Sequence, residues 1–247
     1  MHDSTVLILG ATSSIAKALA VQLAQQGKAL HLAARDAAEV ERTAQDLAIR
    51  YQAPVSWSQF EATAYHTHAD FFEKAIAQMG QLEGVILCLG ELGDQTQAQA
   101  DFSQAQRIIE SNYTGVVSIL TYVANYLEQQ RQGYIIGISS VAGDRGRQSN
   151  YIYGSAKGAL SLFLQGLRSR LAKVGVSVLT VKPGFVDTKM TFGKSGMFLV
   201  AQPEQVAKAI LRARDRRQNS VYVPWFWSWI MLIIRSIPEP LFKKLKL

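Results

Sequence analysis

The sequence predicts an α/β fold in which a doubly wound, seven-stranded parallel sheet carries helices on both faces. Three observations predict it. Six short apolar runs, bounded by small or turn-forming residues, are each followed by a longer amphipathic segment, the alternation of a βαβ chain. The first run, Thr5-Val-Leu-Ile-Leu9, leads straight into a small-residue turn and a helix. A seventh run, Ser220-Val-Tyr-Val223, stands where it can close the sheet.

Length and composition fit one such domain. Of 247 residues 48% are hydrophobic, ample for a sizeable core; residues 1–223 read as the domain proper and 224–247 as an apolar, basic tail. The one cysteine, Cys88, excludes an internal disulfide, suits a reducing compartment and reads as a small buried hydrophobe. The first strand begins almost at once after Met1-His2-Asp3-Ser4, with no basic stretch before it, so no secretory leader is expected and the chain is expected to stay in the cytoplasm. The net charge of +7 is scattered except for Arg212-Ala-Arg-Asp-Arg-Arg217 and Lys243-Lys244-Leu-Lys246. Both clusters flank the most hydrophobic tail, which favours an anionic membrane surface over nucleic acid.

Taken in order, the first strand is followed by Gly10-Ala-Thr12-Ser13-Ser14-Ile15-Ala16 and an amphipathic run through Leu19, Leu23 and Ala24 that stops at Gly27. A strand, a small-residue turn and a helix form the phosphate-binding arrangement of a dinucleotide fold, with backbone amides and the helix N-terminus facing a pyrophosphate. Only Gly10 remains of the usual three glycines, with Ser14 and Ala16 in the other places. On its own the segment fits a strand, turn and helix that bind nothing. The second strand, Ala29–Ala33, ends in Ala34-Arg35-Asp36. Ala34 occupies the place where a carboxylate would hold the ribose 2′-hydroxyl of NAD, and Arg35 suits a 2′-phosphate, so NADP(H) is favoured over NAD(H). Asp36 either reaches the ribose after a one-residue shift or serves as a helix N-cap.

A helix over about 37–51 and a third strand, Val55–Gln59, follow, then Phe60-Glu61. His66 and His68 form an i, i+2 pair without neighbouring ligands and read as solvated. The fourth strand, Val85–Leu89, ends at Gly90. A long helix is predicted over roughly 102–130, and Asn112 and Gly115 inside it carry a local penalty that a functional role would explain.

The fifth strand, Tyr134–Ile138, delivers Ser139 and Ser140 to its carboxyl end. After a loop, Tyr153-Gly-Ser-Ala-Lys157 opens a helix running to about Lys173, and the four-residue spacing puts phenol and ammonium on one face. A nearby cation favours phenolate, which suits Tyr153 to acid–base work. Leu160, Phe163, Leu164, Leu167 and Leu171 read as core or subunit-interface residues. The sixth strand, Val176–Val181, exits through Lys182-Pro183-Gly184, and the long segment from Lys189 to Gln202 is expected to be a lid over substrate.

Ser140, Tyr153 and Lys157, thirteen and four residues apart, resemble the catalytic signature of the short-chain dehydrogenase/reductase family, and the other stretches fall where that family places them. The resemblance implies a single-domain Rossmann fold and reversible hydride transfer between nicotinamide and a carbonyl carbon. It implies catalytic roles for Ser140, Tyr153, Lys157 and Asn112, the last through a distorted helix turn and a water that passes protons to the lysine. Cofactor contacts are implied for Gly10, Thr12, Ser13, Ser14, Ile15, Arg35, Gln59, Phe60, Leu89, Gly90, Tyr153, Lys157, Pro183, Gly184, Val186 and Thr188. The chain departs from the family where the fourth strand ends in Leu87-Cys88-Leu89-Gly90 in place of Asn-Asn-Ala-Gly. No metal or catalytic histidine is needed, and a homodimer or homotetramer is expected.

The tail, Pro224-Trp-Phe-Trp-Ser-Trp-Ile-Met-Leu-Ile-Ile234, is about half the ~20 residues that span a bilayer. Tryptophans beside an apolar run, with lysines at its end, suit a membrane–water interface; a C-terminal arm packed on protein is the other reading. With Ile237-Pro-Glu-Pro-Leu-Phe-Lys-Lys-Leu, the general run of the chain resembles one branch of the family, the reductases of the decaprenylphosphoryl-ribose epimerase pair. That resemblance implies a lipid-linked 2-keto-pentose substrate. A ketoreductase of acyl, steroid or small ketone substrates, and a non-catalytic dinucleotide-binding module, remain as alternatives. The second leaves the Tyr153 signature without a purpose.

Overall fold

In the computed structural model, which describes residues 4–188, 190 and 199–245, the seven apolar runs form one parallel sheet. Its strands are β1 (Thr5–Leu9), β2 (Ala29–Ala34), β3 (Val55–Gln59), β4 (Leu82–Leu87), β5 (Tyr134–Ile138), β6 (Ser177–Pro183) and β7 (Ser220–Val223). Their spatial order is β3-β2-β1-β4-β5-β6-β7. The order reverses beside β1, so the chain winds outward in both directions and opens a crevice at the carboxyl ends of β1 and β4.

The helices are α1 (Ser14–Gln25), α2 (Ala37–Tyr51), α3 (His68–Met79), α4 (Gln95–Ala100), α5 (Phe102–Ile109), α6 (Gly115–Gln130), α7 (Tyr151–Leu171), α8 (Pro203–Asp215), α9 (Trp227–Ser236) and α10 (Glu239–Phe242). Because strand side chains alternate, Val6 and Ile8 of β1 face α1, α2 and α8 through Leu19, Leu23, Val40, Leu47, Val206 and Ile210. Leu7 and Leu9 face the other layer, where Phe72, Ile119, Val123, Leu160 and Leu164 come from α3, α6 and α7. Both faces of the sheet's centre are therefore dry, which is why β1, β4 and β5 are apolar almost throughout, whereas the edge strand β3 alternates serine with Val55 and Trp57 and is only half-buried. Burial of this kind contributes about 25 cal/mol per Å² of apolar surface.

Four sequence expectations are corrected. β4 runs from Leu82 to Leu87. It starts before Val85 because Glu83-Gly84, which reads locally as a turn, lies in the sheet with Gly84 under the ring of Tyr134, where a Cβ would overlap it. It ends two residues short of the expected Leu89, where the chain turns off toward Gly90. The helix expected over 102–130 is broken: α5 and α6 are separated by one π-helical turn, Glu110–Thr114, with Asn112 at its centre. β6 runs on to Pro183, which sits in register with Val223 at the end of the edge strand. His68 is fully buried, its ring nitrogens 2.9 Å from Ser118 Oγ and 3.0 Å from the Glu61 carbonyl oxygen, while His66 is exposed. Of the expected lid, residues 189 and 191–198 lie outside the described residues, as does Lys246 of the basic end.

The tail packs on the body. Trp227 and Met231 are buried against Val141, Phe185 and Tyr222. Arg145 donates to the carbonyls of Ile234 and Ile237, each at 2.6 Å, and its guanidinium lies 3.6 Å from the centre of the Phe242 ring.

Candidate active site

The crevice floor is built where β1 leaves the sheet. Gly10 has φ of 74°, and a Cβ there would stand 2.6 Å from the Cys88 carbonyl oxygen, so glycine alone allows the turn to pass this close to the end of β4. The Ser13 amide bonds the Gly10 carbonyl at 3.0 Å and the Ser13 hydroxyl caps α1 by accepting from the Ala16 amide at 3.2 Å. Thr12, Ser13, Ser14 and Ile15 are half-buried at this helix N-terminus, whose remaining amides have no intrahelical partner. Cys88 sits beneath the turn, where burial pushes its thiol up to about 12 against the opposing effects of Ser13 and Lys157.

Arg35 directly follows β2, with its side chain 71% exposed and Nε 3.9 Å from Glu61 Oε2, a loose pair that leaves the guanidinium available. Asp36 is the N-cap of α2, accepting from the Glu39 amide at 2.9 Å, and this fixes it away from the one-residue-shifted role. Gln59 Nε2 bonds the Arg35 carbonyl at 3.1 Å. Phe60 is buried, its amide bonded to the Ala34 carbonyl and its ring stacked on His68 at 4.9 Å.

Around the other half of the crevice, β5 and α7 bring Ser140, Tyr153 and Lys157 together. Gly143 and Gly158 let the turn after Ser140 lie directly on α7: a Cβ on Gly143 would be 2.6 Å from the Gly158 amide nitrogen. Ser139 supports the same contact, with Oγ 2.9 Å from the Lys157 carbonyl oxygen and 2.7 Å from Ser161 Oγ. Ser140 Oγ accepts from the Ala142 amide at 3.1 Å and is close enough to Tyr153 to act on its phenol. Lys157 is buried, Nζ donating to the Leu89 and Ile138 carbonyls at 3.1 Å each and lying 5.8 Å from the Tyr153 ring centre. Asn112 is fully buried; Nδ2 donates to the carbonyls of Glu91 at 2.6 Å and Ile108 at 2.8 Å, and Oδ1 has no partner. Gly90, with φ of 148°, brings the backbone against both groups: a Cβ there would overlap Asn112 Oδ1 and lie 2.9 Å from Lys157 Nζ.

The electrostatics differ from the expectation that Lys157 eases ionisation of Tyr153. Burial pushes the Tyr153 phenol up to about 12, with the Ser140 hydrogen bond opposing, and pulls the Lys157 ammonium down to about 8. At neutral pH the phenol keeps its proton.

At the end of β6, the Gly184 amide bonds the Val223 carbonyl at 3.0 Å, and the Trp227 indole fills the place a Gly184 Cβ would take. Val186 is buried and bridges Ala201; Thr188 is half-buried two residues on. Sequence reasoning missed three residues that hold this wall. Asp144 joins Lys182 Nζ at 2.6 Å and the Tyr222 hydroxyl at 2.7 Å, Arg145 clasps the tail, and Trp227 lines Gly184. Asp144-Arg145 in a polar loop reads as a solvated turn, and no local signal marks it otherwise.

A family model described as short chain dehydrogenase matches residues 4–196. An uncharacterized oxidoreductase of Mycobacterium tuberculosis is 34% identical over 240 residues, covering 97% of this chain and 96% of that protein. Another from Streptomyces coelicolor is 35% identical over 242 residues, covering 98% and 95%. Among solved structures, a short-chain dehydrogenase from Sphingobium yanoikuyae in complex with NADPH superposes with a TM-score of 0.81 at 25% identity, covering 96% of this chain and 97% of its own. An actinorhodin polyketide ketoreductase with NADPH gives 0.80 at 20% identity, covering 90% and 97%, a likeness of fold.

Proposed function

The chain belongs to the short chain dehydrogenase family, and we propose that it is an NADPH-dependent reductase that converts a carbonyl to an alcohol with Tyr153, Ser140, Lys157 and Asn112. The observation that carries the reading is the convergence of these four at the rim of the crevice, with Ser140 beside a buried phenol and an unsatisfied amide oxygen beside a buried lysine. Binding alone requires none of that.

The crevice fits a dinucleotide. The close passage of Gly10 over Cys88 and the amides at the start of α1 support a pyrophosphate there, and Gly90, Pro183, Gly184, Val186 and Thr188 are assigned to nicotinamide and its ribose. Bound there, the cofactor supplies hydride to the carbonyl carbon. Arg35, loosely paired and exposed, is assigned to the 2′-phosphate, with Gln59 and Phe60 beside the adenine; Asp36, committed as a cap, does not compete for the ribose. The NADPH carried by the Sphingobium relative supports the same preference.

In the reducing direction Ser140 donates a hydrogen bond to the substrate oxygen and Tyr153 gives it a proton. Lys157 holds ribose hydroxyls and returns a proton to the phenolate; a water donating to Asn112 Oδ1 would in turn resupply the lysine. Such a placed acid contributes about 10²–10⁴-fold. For substrate we propose a lipid-linked keto-sugar met at the cytoplasmic face of a membrane by a homo-oligomer. Trp225, Trp229, Leu232 and Ile233 point outward from the tail beside Arg235, Lys243 and Lys244, an arrangement suited to an anionic interface. Among the described residues no helix is long and apolar enough to cross a membrane, so the contact is peripheral.

The test is to titrate NADPH and NADH by fluorescence and then offer ketones, lipid-linked keto-sugars included, to wild type and Tyr153→Phe. Tyr153→Phe is expected to lose about 10²-fold or more in kcat with NADPH affinity intact. Wild-type turnover in that variant refutes the assignment.

A further inference from the structure

Between Ser140 and Tyr153 the loop over residues 145–150 leaves polar atoms buried that nothing among the described residues satisfies. Arg147 is half-buried with Nε shielded from water, and among the described residues its side chain forms no hydrogen bond or ion pair. Asn150, directly before α7, makes no cap to that helix and leaves Oδ1 buried and unbonded. Gln95, the first residue of α4, accepts from the Ile152 amide at 3.2 Å through Oε1 and leaves Nε2 buried and unbonded. The Asn150 amide closes the turn onto the Arg147 carbonyl at 3.1 Å, so all three residues belong to the structure around the first turn of α7, where Tyr153 sits.

Native interiors satisfy nearly all such atoms, and an exception asks for a reason. Arg145, two residues earlier, shows what a structural arginine of this loop does: it donates to three carbonyls and pairs with Glu239. The neighbouring acids are also committed, Asp144 to Lys182 and Tyr222, and Asp94 to the amide of Gln97. Burial holds the Arg147 guanidinium below its ordinary value, as expected of a cation with no counterion among the described residues.

We propose that Arg147, Gln95 and Asn150 form a polar subsite of the substrate pocket, in which Arg147 pairs with an anionic oxygen of the substrate while Gln95 and Asn150 bind its hydroxyls. A guanidinium fork is matched to phosphate or carboxylate, and the two amides supply one donor and one acceptor to a polyol. The substrate class is thereby narrowed to a hydroxylated carbonyl compound bearing an anion, such as a keto-sugar phosphate ester or phosphodiester. The inference rests on the reductase reading, since it takes Tyr153 to mark the reacting carbonyl.

The test is calorimetric titration of ribose, ribose 5-phosphate and ribonate into the full chain saturated with NADP+, which keeps free phosphate out of the cofactor site. At least one anion is expected to bind wild type about tenfold or more tightly than ribose, about 1.4 kcal/mol. Arg147→Met is expected to lose that preference while ribose and NADPH affinities stay put, and Arg147→Lys to keep part of it. A preference for ribose 5-phosphate identifies a phosphate, one for ribonate a carboxylate. The proposal is overturned if neither anion binds more tightly than ribose, or if Arg147→Met keeps the preference. NADPH affinity reports folding; should Arg147→Met lose it, Arg147→Gln is read with the same two outcomes. No turnover is measured, so an active Tyr153→Phe would sink the reductase reading without touching this result.

Discussion

Arg145→Ala tests how the tail is held against the loop that follows Ser140. The side chain donates to the carbonyls of Ile234 and Ile237 at 2.6 Å and of Arg235 at 3.2 Å, at the carboxyl end of α9, where a cation is favoured twice over, by unsatisfied carbonyls and by the helix dipole. Two short charge-assisted bonds are worth about 1.5–3 kcal/mol each, and the guanidinium over Phe242 adds about 1 kcal/mol. Glu239 is exposed and adds little. Water re-solvates the released carbonyls, so a net loss of about 3 kcal/mol is expected. A ten-residue helix has almost no stability of its own, so the loss falls on local opening of α9, whose open population rises about 10²-fold. Hydrogen exchange read by mass spectrometry is expected to quicken about 10²-fold over residues 230–237, with the strands of the sheet unchanged. Unchanged exchange in that segment refutes the clasp. A uniform rise across the sheet refutes the claim that the effect is local.

Four further outcomes follow from the same structure. Gly90→Ala, forced into φ of 148° and into Asn112 Oδ1 and Lys157 Nζ, should cost about 2–5 kcal/mol in denaturant unfolding; an unaffected midpoint would show that the backbone can relax there. Arg35→Asp should weaken NADPH by about tenfold or more and leave NADH little changed, and equal losses for both cofactors would remove Arg35 from the 2′-phosphate. His31, buried between Ser56 and Ser58, is held down to about 4 by burial from its ordinary 6.5. Below pH 6.5 the unfolded chain therefore binds a proton the folded one refuses, and stability drains as pH falls toward 4, by about 3 kcal/mol in all. Thermal melts of wild type and His31→Gln at pH 7 and 4.5 should diverge by about 2.5 kcal/mol of that, and parallel losses would contradict it. Finally, vesicles rich in phosphatidylglycerol should retain the wild-type chain more strongly than Trp225→Ser/Trp229→Ser, and equal retention would leave the outer face of α9 to a protein partner.

By itself the sequence determined the sheet and the winding and singled out Ser140, Tyr153 and Lys157, which the fold brings together. Apolar runs, glycine turns and the four-residue step from Tyr153 to Lys157 are local patterns, and local patterns survive in a linear text; β1, β3, β5 and β7 begin and end on the residues at which their runs do. Gly115 shows the limit. In the sequence it is a helix penalty, whereas in the fold it admits the Ala62 carbonyl beside the π-turn that presents Asn112. Tertiary structure alone decided the rest. Asp144 finds Lys182 and Tyr222 at separations of 38 and 78 residues, and Arg145 reaches the Ile237 carbonyl 92 residues on, pairings that no periodicity encodes. It also decided the electrostatics of the site, holding the proton on Tyr153 and lowering the Arg147 guanidinium from its ordinary value, because desolvation depends on everything packed around a group and nothing in its neighbours along the chain records that.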